Sequence, residues 1–173
     1  MSAGTSAVQV PDTLDAWRMV AARRLFEGTL PLSAMSRLAG SLADTEGSCA
    51  FTLEFGQDTL KVPFVELTID AGLPLLCQRS LQRFVLPVKS VQRLGLIRDE
   101  ADEAALPPGY EALLVPEDGQ LRPADLVEDE LVLAVPVVAI SPDSEPVDQV
   151  WSASEEELQA ASPFAALVDL KKK

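Results

Sequence analysis

From Pro11 the chain reads with a helical period: Leu14, Trp17, Val20 (or Ala21) and Leu25 recur at steps of three and four, with Arg18, Arg23 and Arg24 between them. Gly28 ends this segment. A second, shorter helical pattern follows Pro31, with Met35, Leu38 and Leu42 on one side and Ser33 as an N-cap. The pair reads as one amphipathic flank of the core, with a partner-binding hairpin as the alternative.

At Ser48 the period changes to two. Cys49, Phe51, Leu53 and Phe55 alternate with Ala50, Thr52 and Glu54, and Gly56-Gln57-Asp58 reads as a turn. Leu60, Val62 and Phe64 begin a return strand in which Val65, Leu67 and Ile69 alternate with Glu66, Thr68 and Asp70. A further strand pattern runs over 82–97. Antiparallel sheet is therefore expected in the middle of the chain. Pro63, Pro74 and Pro87 predict short strands, edges or bulges, because proline cannot donate to a ladder.

Residues 99–109 read as an acidic loop, 112–115 as a short strand and 117–119 as a turn. Pro123 suits the first position of a helix reaching residue 135. Asp125, Glu128 and Asp129 fall early in that helix, where its dipole favours negative charge, and Leu126, Val127, Leu131 and Val132 supply its apolar side. The three carboxylates could hold a metal; a solvated, dipole-matched face is the reading preferred. An acidic flexible linker is expected over 141–161. Beyond it, Ser162-Pro163-Phe164 gives an N-cap followed by proline, and Phe164, Leu167 and Val168 share one helical face ahead of Lys171–Lys173. The predicted organisation is an α+β domain over 1–140, the linker, and a short C-terminal docking helix over 162–173. The fold class is an antiparallel sheet, able to curl toward a barrel, with N-terminal helices and one later helix.

Composition narrows the function. A chain of 173 residues is long enough to bury roughly 70% of the surface it exposes unfolded. Only 5% of residues are aromatic, so Leu, Val and Ala must make most of the core. The absence of histidine removes the commonest general base, the Ser-His and Cys-His pairs and every imidazole metal ligand. Two cysteines, Cys49 and Cys77, cannot build a disulfide framework and point to a reducing compartment. No apolar run nears the ~20 residues of a membrane span, and the N-terminus lacks a basic-then-apolar signal, so a soluble, cytoplasmic protein is expected.

The net charge of −13 is unevenly spread. Residues 1–98 carry 10 basic and 9 acidic side chains, whereas 99–173 carry 4 and 18. The acidic half would repel nucleic acid at long range, so any RNA contact must be local to the first half. One window stands out: between Asp70 and Asp99 there is no acid, while Arg79, Arg83, Lys89, Arg93 and Arg98 all occur. Arg83, Lys89 and Arg93 share one parity and would lie on one face of a strand. This stripe is the candidate contact for RNA or another acidic partner. An ordinary wet sheet face, or pairing with the acidic loop at 99–103, is the alternative.

Catalytic chemistry is poorly supplied. No glycine-rich phosphate loop appears, Cys77 has no histidine to activate it, and 27 carboxylates do not single out a glycosidase pair. Cys77-Gln78-Arg79-Ser80 has the spacing of a CxxC whose second cysteine is replaced, which leaves too few ligands for zinc. No catalytic residue, metal, cofactor or small-molecule substrate is expected.

Three segments together resemble the YceD family, the bacterial large ribosomal RNA subunit accumulation proteins: CQRS at 77–80, LVEDELVLAVPVV at 126–138 and SPFAALVDLKKK at 162–173. They are similar to that family's CxRC, its (L/V)xEDE(I/L)xLALPxxP-like stretch and its terminal NPFxxLxxLK. LDAWRMVAARRLFEGTLPLSAMSRL and ALPPGYEAL also fit. Ser80 stands at the second cysteine, Ser141-Pro142-Asp143 where a later Cys or His often follows, and Ser162 at the terminal Asn. The resemblance implies a role in making or stabilising 23S ribosomal RNA, with pre-ribosomal particles or an assembly protein as partner. It supplies no catalytic residues. An acidic protein-interaction adaptor acting on ribosomal RNA indirectly is the alternative.

Overall fold

The computed structural model describes residues 10–145. Its centre is a five-stranded sheet in the order β2-β3-β4-β5-β6, formed by β2 (Leu25–Pro31), β3 (Ser48–Gln57), β4 (Pro63–Leu76), β5 (Arg83–Ile97) and β6 (Glu111–Leu114). The three pairings β2–β3, β3–β4 and β4–β5 are antiparallel between neighbours in chain order, whereas β6 runs parallel to β5 after a crossover through a 3₁₀ segment at Glu100–Ala105. The sheet is open, with β2 and β6 at its edges, and does not close into a barrel. A separate pair joins β1 (Leu14–Asp15) to β7 (Gln120–Leu121).

Period-two alternation decides which face is buried. Phe51, Leu53 and Phe55 on β3, with Val65, Leu67 and Ile69 on β4, are at most 4% exposed. Helices α1 (Ala16–Ala22), α2 (Ser36–Ala39) and α3 (Pro123–Ala134) complete the core with Ala16, Val20, Leu38, Val127 and Leu131. Among the described residues no helix is long and apolar enough to cross a membrane.

The N-terminal helical pattern is overextended. Asp15 caps α1 by accepting the Arg18 N–H at 3.0 Å, but the helix stops after seven residues. Arg23 takes the left-handed conformation (φ 48°) and its N–H closes the end on the carbonyls of Met19 and Val20. Residues 25–31 then form an edge strand in which Phe26 is buried while Leu25, Glu27 and Thr29 are exposed. Gly28, read as a helix stop, sits inside that strand. A Cβ there would lie 2.8 Å from the Phe51 ring and from Val10, so the glycine makes room for a core aromatic.

The prolines mark edges but not short strands. β4 and β5 run for 14 and 15 residues. Pro63 opens β4; Pro74 lies past Ala71, where the pairing with β3 ends; and Pro87 lies outside the stretch 94–97 that pairs with β6. Each falls where one side of the strand has no ladder to interrupt.

Candidate functional site

Arg83, Lys89 and Arg93 all point from the solvent face of β5, alternating with the half-buried Phe84, Leu86 and Gln92. Each already holds an acid. The register sets Lys89 opposite Asp70 and Arg93 opposite Glu66, with Nζ–Oδ2 at 3.2 Å and Nη2–Oε2 at 2.6 Å. Arg83 meets the α2–β3 connection, with Nε 2.5 Å from Asp44 Oδ2 and Nη2 3.5 Å from Glu46 Oε2. The Arg83 guanidinium holds the Asp44 carboxyl below its ordinary range. The partner acids are thus on β4 and in the 44–46 loop rather than in the loop at 99–103. An acid-free window in sequence is not acid-free in space, because the neighbouring strand supplies carboxylates on the same face.

Arg93 does more than pair. Its guanidinium lies 4.8 Å from the Phe64 ring centroid and 5.9 Å from that of Tyr110, whose hydroxyl donates to Asp58 Oδ2 at 2.9 Å. The cluster pins the crossover to the sheet beside Gly95, where an added Cβ would strike Leu106 at 2.6 Å. Arg79 and Arg98 sit at opposite ends of β5. Arg79 Nη1 donates to the Ser144 carbonyl at 3.4 Å, and the Arg98 guanidinium stacks 4.2 Å from the Trp17 ring. Neither forms an ion pair among the described residues. Three of the five cations are thus held by acids, and the other two rest on a backbone carbonyl and an indole ring.

Cys77 is fully buried at the end of β4. Its sulfur accepts the N–H of Ser141 at 3.3 Å and that of Ser80 at 3.4 Å, tying residues 139–141 to the 77–82 turn. The Ser141 N–H, then the Ser80 hydroxyl and N–H, outweigh burial and lower the thiol to about 6. Burial pushes the Cys49 thiol up to about 11, outweighing the lowering by the Asp70 backbone N–H. Among the described residues no group of three Cys, Asp or Glu side chains is placed to hold a metal.

Glu128 is not on a solvated face. It is 7% exposed and turned inward against α2, where it accepts from Arg37 and Leu38. Asp129 also bonds the Arg37 guanidinium, so two of the three early α3 carboxylates serve one arginine. Nothing in the local spacing around Glu128 distinguishes it from Asp125 or Asp129; a partner 91 positions away decides its role. The predicted docking residues Phe164, Leu167 and Val168 lie outside the described residues.

The family described as "Large ribosomal RNA subunit accumulation protein YceD" matches residues 65–171. The chain belongs to the YceD family. A relative from Haemophilus influenzae, named "Large ribosomal RNA subunit accumulation protein YceD", is 28% identical over 173 residues, covering 96% of this chain and 98% of its own length. No solved structure matches the chain. The YceD-matched region begins within β4 and takes in all five cations, Cys77, α3 and residues 162–171.

Proposed function

We propose that this chain is a non-enzymatic, cytoplasmic factor supporting 23S ribosomal RNA accumulation and biogenesis of the large ribosomal subunit. The observation that carries this is the match to the YceD family, joined to a relative of that name aligned over almost its whole length. The chemistry agrees: the sequence has no histidine, and both thiols are buried away from any substrate.

Direct RNA contact would use the exposed cations. Among the described residues Arg79 and Arg98 have no acid to release, whereas Arg83, Lys89 and Arg93 must exchange a carboxylate for a phosphate. Such exposed pairs are typically worth only about 0–1 kcal/mol, so exchange is affordable on the solvent face of β5. The adaptor reading draws support from the charge balance, since residues 10–145 carry 11 basic side chains and 22 acidic ones.

Binding of purified protein to 23S fragments, followed against salt, tests the proposal. A direct binder loses affinity with a log–log slope of about −0.7 to −0.9 per phosphate contacted. Flat, non-saturating binding together with co-sedimentation on pre-ribosomal particles would favour the adaptor. Absence from such particles, with normal 23S levels in a deletion strain, would reject both.

A further inference from the structure

Between α3 and β6 the buried side of the sheet is left open as a groove of about 360 Å³. Leu67, Leu94, Leu113 and Leu126 line its apolar part, and Glu111, Asp129 and Glu130 stand along it. Beside it Leu114, Val132 and Leu133 remain exposed, Leu133 by 74%. Apolar side chains gathered on a surface and rimmed by charge mark a contact site. The volume lies at the bottom of the ~300–1,000 Å³ range of small-molecule pockets, a size suited to one or two large side chains.

We infer that this groove seats the chain's own C-terminal segment, residues 162–173, with Phe164 and Leu167 on the leucine floor and Lys171–Lys173 over the acids. Three lysines against three carboxylates is the charge match, and one of those carboxylates, Asp129, shares its charge with Arg37. The other end of the chain does not fit: residues 1–9 carry no charged side chain, and Val10 enters over Gly28 of β2, at the sheet edge remote from β6. Reach is sufficient. Ser141–Ser144 lie beside Arg83 and Val85 at the start of β5, and the groove opens near Leu94, eleven residues along that strand and hence about 36 Å away. The connector 146–161 spans up to about 53–58 Å when extended. The YceD match includes both α3 and the segment up to residue 171, so groove and occupant belong to one family pattern. The docking stands or falls independently of RNA contact.

Crosslinking in the full chain tests it. Leu133→Cys with Leu167→Cys should close an intramolecular disulfide on mild oxidation, while Cys49 and Cys77 stay buried. The control pairs Val85→Cys with Leu167→Cys. Val85 is 51% exposed and lies beside the point where the tail departs, so an undocked tail would meet it first. Docking predicts closure at Leu133 at least about tenfold faster than at Val85, with Phe164→Ser abolishing that advantage. Equal or reversed rates would overturn the inference. Disulfides formed only between chains would overturn it too, assigning the groove to a second copy. Leu133→Asp, at an exposed position, gives a second measure: amide exchange over 162–170 should quicken by about tenfold relative to the parent, and unchanged exchange counts against docking.

Discussion

Glu128 caps α2 from another helix. Its Oε1 accepts the backbone N–H of Arg37 at 2.7 Å and of Leu38 at 3.2 Å, while Oε2 takes Nε and Nη2 of Arg37 at 3.2 and 3.1 Å. α2 has only four residues and no side-chain cap of its own, so its first amides depend on this carboxylate.

Glu128→Ala should therefore destabilise the fold by about 2–3 kcal/mol, because buried amide donors lose a charged acceptor. Glu128→Gln should cost less, since it keeps one oxygen. Burial would raise the Glu128 carboxyl, but the N–H groups of Leu38 and Arg37 and the guanidinium hold it below its ordinary range. A carboxyl depressed in the fold contributes stability in full above its unfolded value, about 4.3, and loses it as pH falls through the folded one. Urea midpoints of the parent should fall between about pH 5 and pH 3 more steeply than those of Glu128→Gln. Parallel pH curves would show that the carboxylate's charge is not what caps α2.

Gly28→Ala should lower stability by about 1–3 kcal/mol, the usual penalty for overfilling a packed core. The new methyl must displace Phe51, itself 4% exposed. Gly40→Ala is the matched control: it ends α2 in the right-handed region, with its nearest neighbour 3.8 Å away. That change should be neutral or stabilising by up to about 1 kcal/mol, through the unfolded chain. Equal urea midpoints for the two variants would contradict the packing at β2.

The contrast between these positions shows where sequence pattern carried and where it failed. β3, β4 and β5 were legible because a strand with one buried face writes its alternation directly into the chain, as Cys49 to Phe55 and Val65 to Ile69 do. β2 was not, because Gly28 breaks the alternation where Phe51 needs the space, and Leu14, Trp17 and Leu25 happen to fall at helical steps. The stripe was half legible. Parity placed Arg83, Lys89 and Arg93 on one face, but the acids that meet them come from another strand and a distant loop, and one-dimensional spacing holds no record of pairing register. Glu128 was illegible for the same reason.

Cys77 should titrate near 6 in the folded protein while Cys49 stays protonated to about 11. Thiolate absorbance of Cys49→Ser and Cys77→Ser variants separates the two. The folded Cys77 thiol lies below its unfolded value, so the stability it lends is complete above the unfolded value and disappears as pH falls through about 6. Melting temperature plotted against pH should show that loss in the parent and not in Cys77→Ser. An ordinary thiol titration, near 8.5, would mean that the Ser80 and Ser141 donors do not hold a thiolate.

The cations give the functional test, and their unequal surroundings make it selective. Arg79 and Arg98 are exposed and have no acid partner among the described residues, so Arg79→Gln with Arg98→Gln removes charge without stranding a carboxylate. Lys89→Gln frees Asp70, and Arg83→Gln frees Asp44, which leaves the sheet face more acidic. Arg93 belongs apart, because its loss both frees Glu66 and removes the guanidinium from Phe64 and Tyr110, at about 0.5–1 kcal/mol of stability. Arg98→Gln loses its Trp17 contact at a similar cost but strands no carboxylate among the described residues. If RNA is the direct partner, the Arg79/Arg98 double variant stays folded and its salt slope for a 23S fragment becomes shallower by about 1.4–1.8, the share of two phosphates. Arg83→Gln with Lys89→Gln then weakens binding further through the exposed carboxylates. A double variant at 79 and 98 that binds with an unchanged slope would remove those two arginines from the interface. Full complementation of a deletion strain by the quadruple variant would leave the cationic face of β5 as solvated surface, and 23S accumulation would have to be supported through another surface of the YceD fold.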